Sequence, residues 1–115
     1  MQATASQIRV VLADDHKLFR QGLRQLLELD GDIVVVGEAG DGQEAQRLAA
    51  DIKPDVVLVD INMPGGDGVS AAREILRVNP GIGVIVLTMH RDDSYIFQAV
   101  RAGARAYLLK SASAA

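Results

Sequence analysis

The chain has no cysteine and no tryptophan, and only two tyrosines and two phenylalanines among its 115 residues. Without cysteine it has no disulfide bonds, thiolate metal ligands or thiol nucleophiles, which is compatible with a reducing cytoplasm. So few aromatic rings argue against a base-stacking surface for single-stranded nucleic acid. The net charge of -3 gives no attraction for phosphate backbones, and no apolar run is long enough to span a membrane. We therefore expect a cytoplasmic domain with no direct contact to nucleic acid or membrane.

The apolar residues, 49% of the chain, fall into short runs separated by turn residues. Continuous runs rich in Val and Ile predict strands covered on both faces, as in a parallel sheet. Strands are predicted at residues 8–13, 33–39, 56–60, 83–88 and 106–110. Apolar residues three and four apart predict amphipathic helices from residue 16 and at 43–52, 69–78 and 93–102. In the first helix these positions are Leu18, Phe19, Gly22, Leu23, Leu26 and Leu27.

Strand and helix alternate with short connections, which is typical of right-handed βαβ units and an α/β doubly wound parallel sheet. Residues 1–7 are small and polar, and we expect a disordered leader there, followed by one domain at 8–115. Only residues 111–115 remain for the helix that should follow the fifth strand. We interpret the chain as truncated at this last helix, which would leave an apolar strip exposed unless another copy covers it.

One stretch, residues 56–68, stands out because four apolar residues end on Asp60 and lead into a loop rich in Pro and Gly. Open parallel sheets bind ligands outside the carboxyl ends of their strands, so Asp60 is well placed for function. Taken alone, Asp60 is equally consistent with a strand-terminating residue that caps the next turn. The ends of the other strands add four polar side chains to the same edge: Asp14, Asp15, Thr88 and Lys110.

This set of side chains suits phosphoryl transfer. Three carboxylates that lie close together repel one another unless a cation neutralises them, and oxygen-only ligands select a hard ion such as Mg²⁺. A carboxylate held beside Mg²⁺ can take up a phosphoryl group, which makes Asp60 the candidate nucleophile. Thr88 and Lys110 would bind the remaining phosphoryl oxygens through a hydroxyl and an ammonium group.

Four segments carry a resemblance to a known family. They are Val-Val-Leu-Ala-Asp-Asp-His at 10–16, Asp-Ile-Asn-Met-Pro-Gly-Gly-Asp-Gly at 60–68, Leu-Thr at 87–88, and Gly-Ala-Arg-Ala-Tyr-Leu-Leu-Lys at 103–110. With these segments in this order, the chain resembles the receiver domain of a two-component response regulator along nearly its whole length. The resemblance implies a flavodoxin-like sheet with strand order 2-1-3-4-5. It also implies a signalling phosphoacceptor, rather than an enzyme, that helps to catalyse its own phosphorylation and dephosphorylation.

The resemblance further implies that Asp60 accepts its phosphoryl group from a sensor histidine kinase. Asp15, Asp60 and the backbone carbonyl of Asn62 would then bind Mg²⁺ directly, and Asp14 would assist through water. Thr88 and Tyr107 match the switch pair of the family. The resemblance implies that on phosphorylation the Thr hydroxyl would move toward the phosphate and the aromatic ring would move into the space that it leaves.

The residues around His16, Thr88 and 97–104 resemble the subfamily whose output is a LuxR-type helix-turn-helix. The resemblance implies a parent protein that binds DNA and regulates transcription, with its output domain absent here. Ser111 follows Lys110 where many family members have Pro and this subfamily often has Asp, which leaves open whether this peptide bond is cis. The absence of the last helix leaves homodimerisation open.

Three alternatives fit part of the pattern. A phosphatase of the haloacid dehalogenase type also uses an Asp nucleophile, but its Asp-x-Asp signature is broken here by Asn62. A flavodoxin-like FMN carrier shares the fold, but Asp14 and Asp15 occupy its phosphate loop. A pseudo-receiver that binds partners without phosphorylation is disfavoured because the complete set of acids is present.

Several polar residues have simpler explanations than a functional role. His16 is expected to lie exposed on the first helix turn rather than to bind metal. His90 lies two residues past Thr88. We slightly favour a solvated loop residue there over a group that controls the access of water to an acyl phosphate. The arginines of the first helix, Arg20 and Arg24, are expected to belong to a solvated face.

Overall fold

The computed structural model describes residues 7–61, 63, 68–88 and 106–109, and of residues 88 and 106–109 it describes the backbone alone. The predicted helix at 93–102 and the predictions for His90 and the Lys110–Ser111 peptide lie outside these residues. So does the predicted leader, except for Gln7, whose side-chain amide donates to the carbonyl of Gly31 at 3.1 Å.

Five parallel strands form a single sheet in the order β2-β1-β3-β4-β5. The strands are β1 (Ile8–Ala13), β2 (Ile33–Ala39), β3 (Val56–Asp60), β4 (Gly83–Thr88) and β5 (Ala106–Leu109). Within the described part of the chain, the helices are α1 (Lys17–Glu28), α2 (Gly42–Ile52) and α3 (Gly68–Val78). This arrangement confirms the predicted doubly wound sheet and its strand order. None of the described helices is both long enough and apolar enough to cross a membrane.

Side chains that alternate along the strands build a core on each face of the sheet. Val11, Val57 and Val59 belong to the first core, which α2 and α3 cover with small residues such as Ala49 and Ala72. The intervening strand residues belong to the second core, which α1 covers: Val10, Leu12, Val35, Leu58 and Leu87. The strands are therefore apolar on both sides, which explains their continuous apolar runs.

Helix α1 packs on the sheet through a narrower stripe than its sequence predicts. Phe19, Leu23 and Leu27 contact the second core. The prediction was wrong for Leu18 and Leu26, whose exposed fractions are 84% and 62%. Phe19, Leu23 and Leu27 follow one another at intervals of four residues, so they share one side of the helix. Leu26 lies at the edge of that side, and Leu18 lies nearly opposite it.

Candidate functional site

The strand register places two of the predicted acids side by side. In the pairing of β1 with β3, Ala13 lies opposite Val59, so Asp14 and Asp60 are the next residues of two neighbouring strands. Beyond Asp60, the backbone N–H of Ile61 donates to the carbonyl of Leu87 at 3.0 Å, which continues the ladder with β4. The polar edge therefore begins at the same level on neighbouring strands.

Asp14, Asp15, His16 and Asp60 form one cluster at this edge. Each contributes a potential ligand atom, and these atoms all lie within 4.8 Å of one another. Asp14 and Asp60 are only 1% and 2% exposed, whereas Asp15 lies nearer the solvent. Oxygen donors this close, two of them on buried carboxylates, fit a divalent cation, since the cation offsets charge that water does not reach. The sequence thus predicted the three acids of this cluster.

His16 joins the cluster through both its backbone and its ring. Its N–H donates to Oδ1 of Asp14 at 2.8 Å, and its Nδ1 lies 3.3 Å from Oδ1 of Asp14 and 3.3 Å from Oδ1 of Asp15. The ring is exposed, as the sequence indicates, but it adds a nitrogen donor to the oxygens. Because the residue directly follows the acidic pair, the turn that carries those acids brings the ring to them.

A network of charged side chains links α1 to the ends of β1 and β2. Nη1 of Arg20 donates to the carbonyl oxygen of Asp14 at 2.6 Å, and Nε of Arg20 donates to Oε1 of Glu38 at 2.8 Å. The other oxygen of Glu38 accepts from Nη1 of Arg24 at 2.7 Å. The predicted solvated face was wrong for Arg20, whose side chain is only 17% exposed. It was missed because an arginine on a helix gives no signal of the backbone oxygen that it contacts.

This network shifts the ionisation of its members. The hydrogen bond from Arg20, helped by the one from Arg24, lowers the pKa of Glu38 below its ordinary value of 4.5, against the opposing effect of burial. The hydrogen bond to Glu38 in turn raises the pKa of Arg24. The carboxylate between the two guanidinium groups is therefore held in its ionised form near neutral pH.

Comparison with known proteins assigns the domain. Residues 10–115 match the family described as the response regulator receiver domain. The chain belongs to this family. It is 47% identical over 108 residues to the transcriptional regulatory protein LiaR of Bacillus subtilis, an alignment that covers 94% of this chain and 51% of LiaR. The chain spans about half the length of the curated relatives that it matches.

Solved structures agree with this receiver assignment. A LuxR-family two-component response regulator from an Aurantimonas species aligns with a TM-score of 0.88 and 38% identity, covering 92% of this chain and 76% of that one. A LuxR-family DNA-binding response regulator from Staphylococcus aureus aligns with a TM-score of 0.85 and 33% identity, covering 90% and 87%. Both of these neighbours are LuxR-family response regulators, the subfamily that the resemblance implied.

The remaining predicted site residues of the receiver domain are located only in part. Thr88 ends β4, with its backbone in register with Leu109 of β5. Tyr107 lies on the same neighbouring strand, opposite Val86. Asn62 and Lys110 lie outside the described residues. The structure therefore brings together the acids of the predicted site and places the backbones of the predicted switch pair on adjacent strands.

Gly68, the first residue of α3, lies directly against the end of β3. Its N–H donates to the carbonyl of Ile61 at 2.7 Å. A Cβ at this position would lie against the carbonyl oxygen of Asp60 and only 2.7 Å from its carbonyl carbon. A side chain here would collide with the backbone that carries Asp60, so the close approach requires glycine.

Proposed function

We propose that this receiver domain accepts a phosphoryl group on Asp60 from a sensor histidine kinase in the cytoplasm. The observation that carries the proposal is the buried carboxylate of Asp60 beside Asp14 and Asp15 at the carboxyl edge of the sheet, in a chain that belongs to the receiver family. Family membership also favours this activity over a phosphatase of the haloacid dehalogenase type or an FMN carrier.

Mg²⁺ is the cation that we propose for the acidic cluster. Asp15, Asp60 and the backbone carbonyl of Asn62 would hold it, with Asp14 acting through water. When bound, Mg²⁺ neutralises the carboxylates and withdraws electron density from the transferring phosphoryl group. Mg²⁺ prefers oxygen ligands and keeps several of its bound waters. The carboxylates of the cluster provide such oxygen ligands.

The transfer itself is a displacement at phosphorus. A carboxylate oxygen of Asp60 attacks the phosphorus of a phosphohistidine, an O–P bond forms, and the N–P bond breaks with the electron pair going to the imidazole. The burial of Asp60 limits its hydration, which favours attack on an aligned phosphoryl group. We assign Thr88 and Lys110 to the phosphoryl oxygens, as a hydroxyl donor and a positive charge.

We propose that phosphorylation is transmitted through Thr88 and Tyr107 to an output domain. The adjacent strand positions of their backbones support this pairing. The output domain would be of the LuxR type and would bind DNA in a longer protein, which the DNA-binding relative from Staphylococcus aureus supports. Replacement of Thr88 by Ala should leave phosphorylation of Asp60 detectable but abolish the response at Tyr107. In the longer protein, phosphorylation should change DNA affinity.

The experiment that tests the proposed site uses backbone NMR of the chain with Mg²⁺ and beryllium fluoride, a mimic of the phosphoryl group. Mg²⁺ alone should shift resonances near the acids, and further shifts at Asp60, Thr88, Tyr107 and Lys110 are expected only when beryllium fluoride is also present. The matched control is Asp60→Asn, which keeps the size of the side chain and removes its charge. If Mg²⁺ and beryllium fluoride together cause no shift changes in the unaltered chain beyond those in the control, the domain is a pseudo-receiver and the proposal fails.

A further inference from the structure

We propose that Arg20 is a positioning residue for the metal-binding acids. Its guanidinium holds the turn between β1 and α1 in the conformation that presents Asp14 and Asp15 to a divalent cation. The inference rests on the proposed function of the acidic cluster as a Mg²⁺ site. Arg20 contacts backbone oxygens and Glu38, so it would act on the cation through the acids that it positions.

The guanidinium of Arg20 bridges the carboxyl ends of two strands. Its Nη1 lies 2.6 Å from the carbonyl oxygen of Asp14 and 3.4 Å from that of Ala39. The N–H of Asp14 also donates to the carbonyl of Ala39 at 3.0 Å. The peptide groups on both sides of Asp14 are therefore fixed, one by the neighbouring strand and the other by Arg20. With both peptides fixed, the direction of the Asp14 carboxylate is restricted.

Glu38 holds the guanidinium in this position. The carboxylate accepts from Nε of Arg20 at 2.8 Å and from Nη1 of Arg24 at 2.7 Å, so the guanidinium of Arg20 is restrained through Nε while its Nη1 reaches the carbonyl of Asp14. A planar guanidinium can reach a carboxylate and a carbonyl at the same time, whereas the single ammonium of a lysine cannot reproduce that geometry. The geometry of Arg20, and not only its charge, is therefore required.

Charge and position predict opposite effects when Arg20 is replaced by Gln. Loss of a positive charge near the acids makes the local potential more negative and should strengthen the binding of a cation. Loss of the hydrogen bond to the Asp14 carbonyl releases the turn and should weaken the binding of the cation. The sign of the change in Mg²⁺ affinity therefore separates a positioning role from a purely electrostatic one.

The chain offers a matched control at Arg24. This arginine also donates to Glu38, but its second partner is the carboxylate of Glu28 and not the carbonyl of Asp14. Arg24→Gln removes the same charge and a comparable ion pair. It should leave the Mg²⁺ affinity within about twofold of the unaltered chain, because exposed ion pairs contribute little.

The experiment is a Mg²⁺ titration followed by backbone NMR for the unaltered chain, Arg20→Gln, Arg20→Lys, Arg24→Gln and Asp60→Asn. We expect Arg20→Gln to weaken Mg²⁺ binding about tenfold, the lower end of the range for groups that orient metal ligands. Arg20→Lys should also weaken it, although the charge is kept. Circular dichroism at the titration temperature confirms that each variant is folded, and Arg20→Lys carries the test if Arg20→Gln is not.

The possible results separate the two proposals. Weaker binding in both Arg20 variants with normal binding in Arg24→Gln supports the positioning role. Unchanged or tighter binding in the folded Arg20 variants overturns it and leaves the Mg²⁺ site intact. Equal losses in the Arg20 and Arg24 variants also overturn it, because they indicate a general effect of the charge network. An unaltered chain without a Mg²⁺ response that depends on Asp60 overturns the proposed function and this inference together.

Discussion

Gly68→Ala is expected to destabilise the domain by forcing α3 away from the strand that carries Asp60. The added Cβ would lie 2.7 Å from the carbonyl carbon of Asp60 and 2.8 Å from Cα of Ile61, where ordinary contact begins at 3.4 Å. The carbonyl oxygen of Asp60 would be closer still, so more than 0.7 Å of movement is needed, and the opposing atoms are backbone atoms at the end of a central strand. Overpacking of this kind costs about 1–3 kcal/mol, and we expect the upper end because no side-chain rotation relieves it.

Thermal unfolding followed by circular dichroism measures this effect. About 3 kcal/mol corresponds to a decrease in Tm of about 12 °C for a domain of this size. Gly22→Ala is the matched control, because a Cβ at Gly22 would meet nothing within 4 Å. Within helix α1 this control should gain about 0.5–1 kcal/mol from helix propensity, and its Tm should rise. A Gly68→Ala variant as stable as the unaltered chain would refute the close approach of α3 to Asp60.

Three further outcomes are expected. Val57→Ala, in the fully buried centre of the sheet, should lower the free energy of unfolding in urea by about 2 kcal/mol. The control, Val78→Ala on the exposed end of α3, should lower it by less than about 0.5 kcal/mol. The hydrogen bond from Arg20 lowers the pKa of Glu38 in the folded state. The contribution of ionised Glu38 to stability is therefore present above pH 4.5 and is lost as the pH falls through the lowered pKa. Glu38→Gln should flatten that part of the stability profile, and an unchanged slope would contradict the pairing. His16→Asn should reduce Ni²⁺ affinity more than Mg²⁺ affinity in calorimetric titrations, since imidazole nitrogen suits the former ion, and equal reductions would indicate that the ring is not a ligand.

Sequence pattern was sufficient to predict the acidic cluster because it depends on where strands end. The apolar runs of β1 and β3 each stop at an acid, and the ends of parallel strands meet at one edge, so Asp14 and Asp60 lie close together once these two strands are neighbours in a parallel sheet. Predicting this cluster did not require the orientation of individual side chains. The strand order came from the resemblance to receiver domains, since alternating strands and helices alone fit more than one order.

Contacts that depend on side-chain reach were not predictable in the same way. Arg20 and Arg24 are both arginines on α1, yet of the two only Arg20 donates to the carbonyl of Asp14. Arg20 lies four residues closer to the acids at the start of the helix. Apolar spacing in α1 likewise did not distinguish Leu23, which packs on the sheet, from Leu26, which is exposed. The difference between Leu23 and Leu26 depends on the rotation of α1 about its axis, which a broad apolar stripe does not fix.

Mass spectrometry of the intact chain after incubation with Mg²⁺ and a small phosphoryl donor such as acetyl phosphate tests the central claim most directly. The account predicts one added phosphoryl group, dependent on Mg²⁺, labile to hydroxylamine as an acyl phosphate, and absent in Asp60→Asn. Circular dichroism should show this variant to be folded. A phosphoryl group that persists in folded Asp60→Asn, or a failure of the unaltered chain to become modified under any concentration of donor and Mg²⁺, would contradict the assignment of Asp60 as the phosphoacceptor.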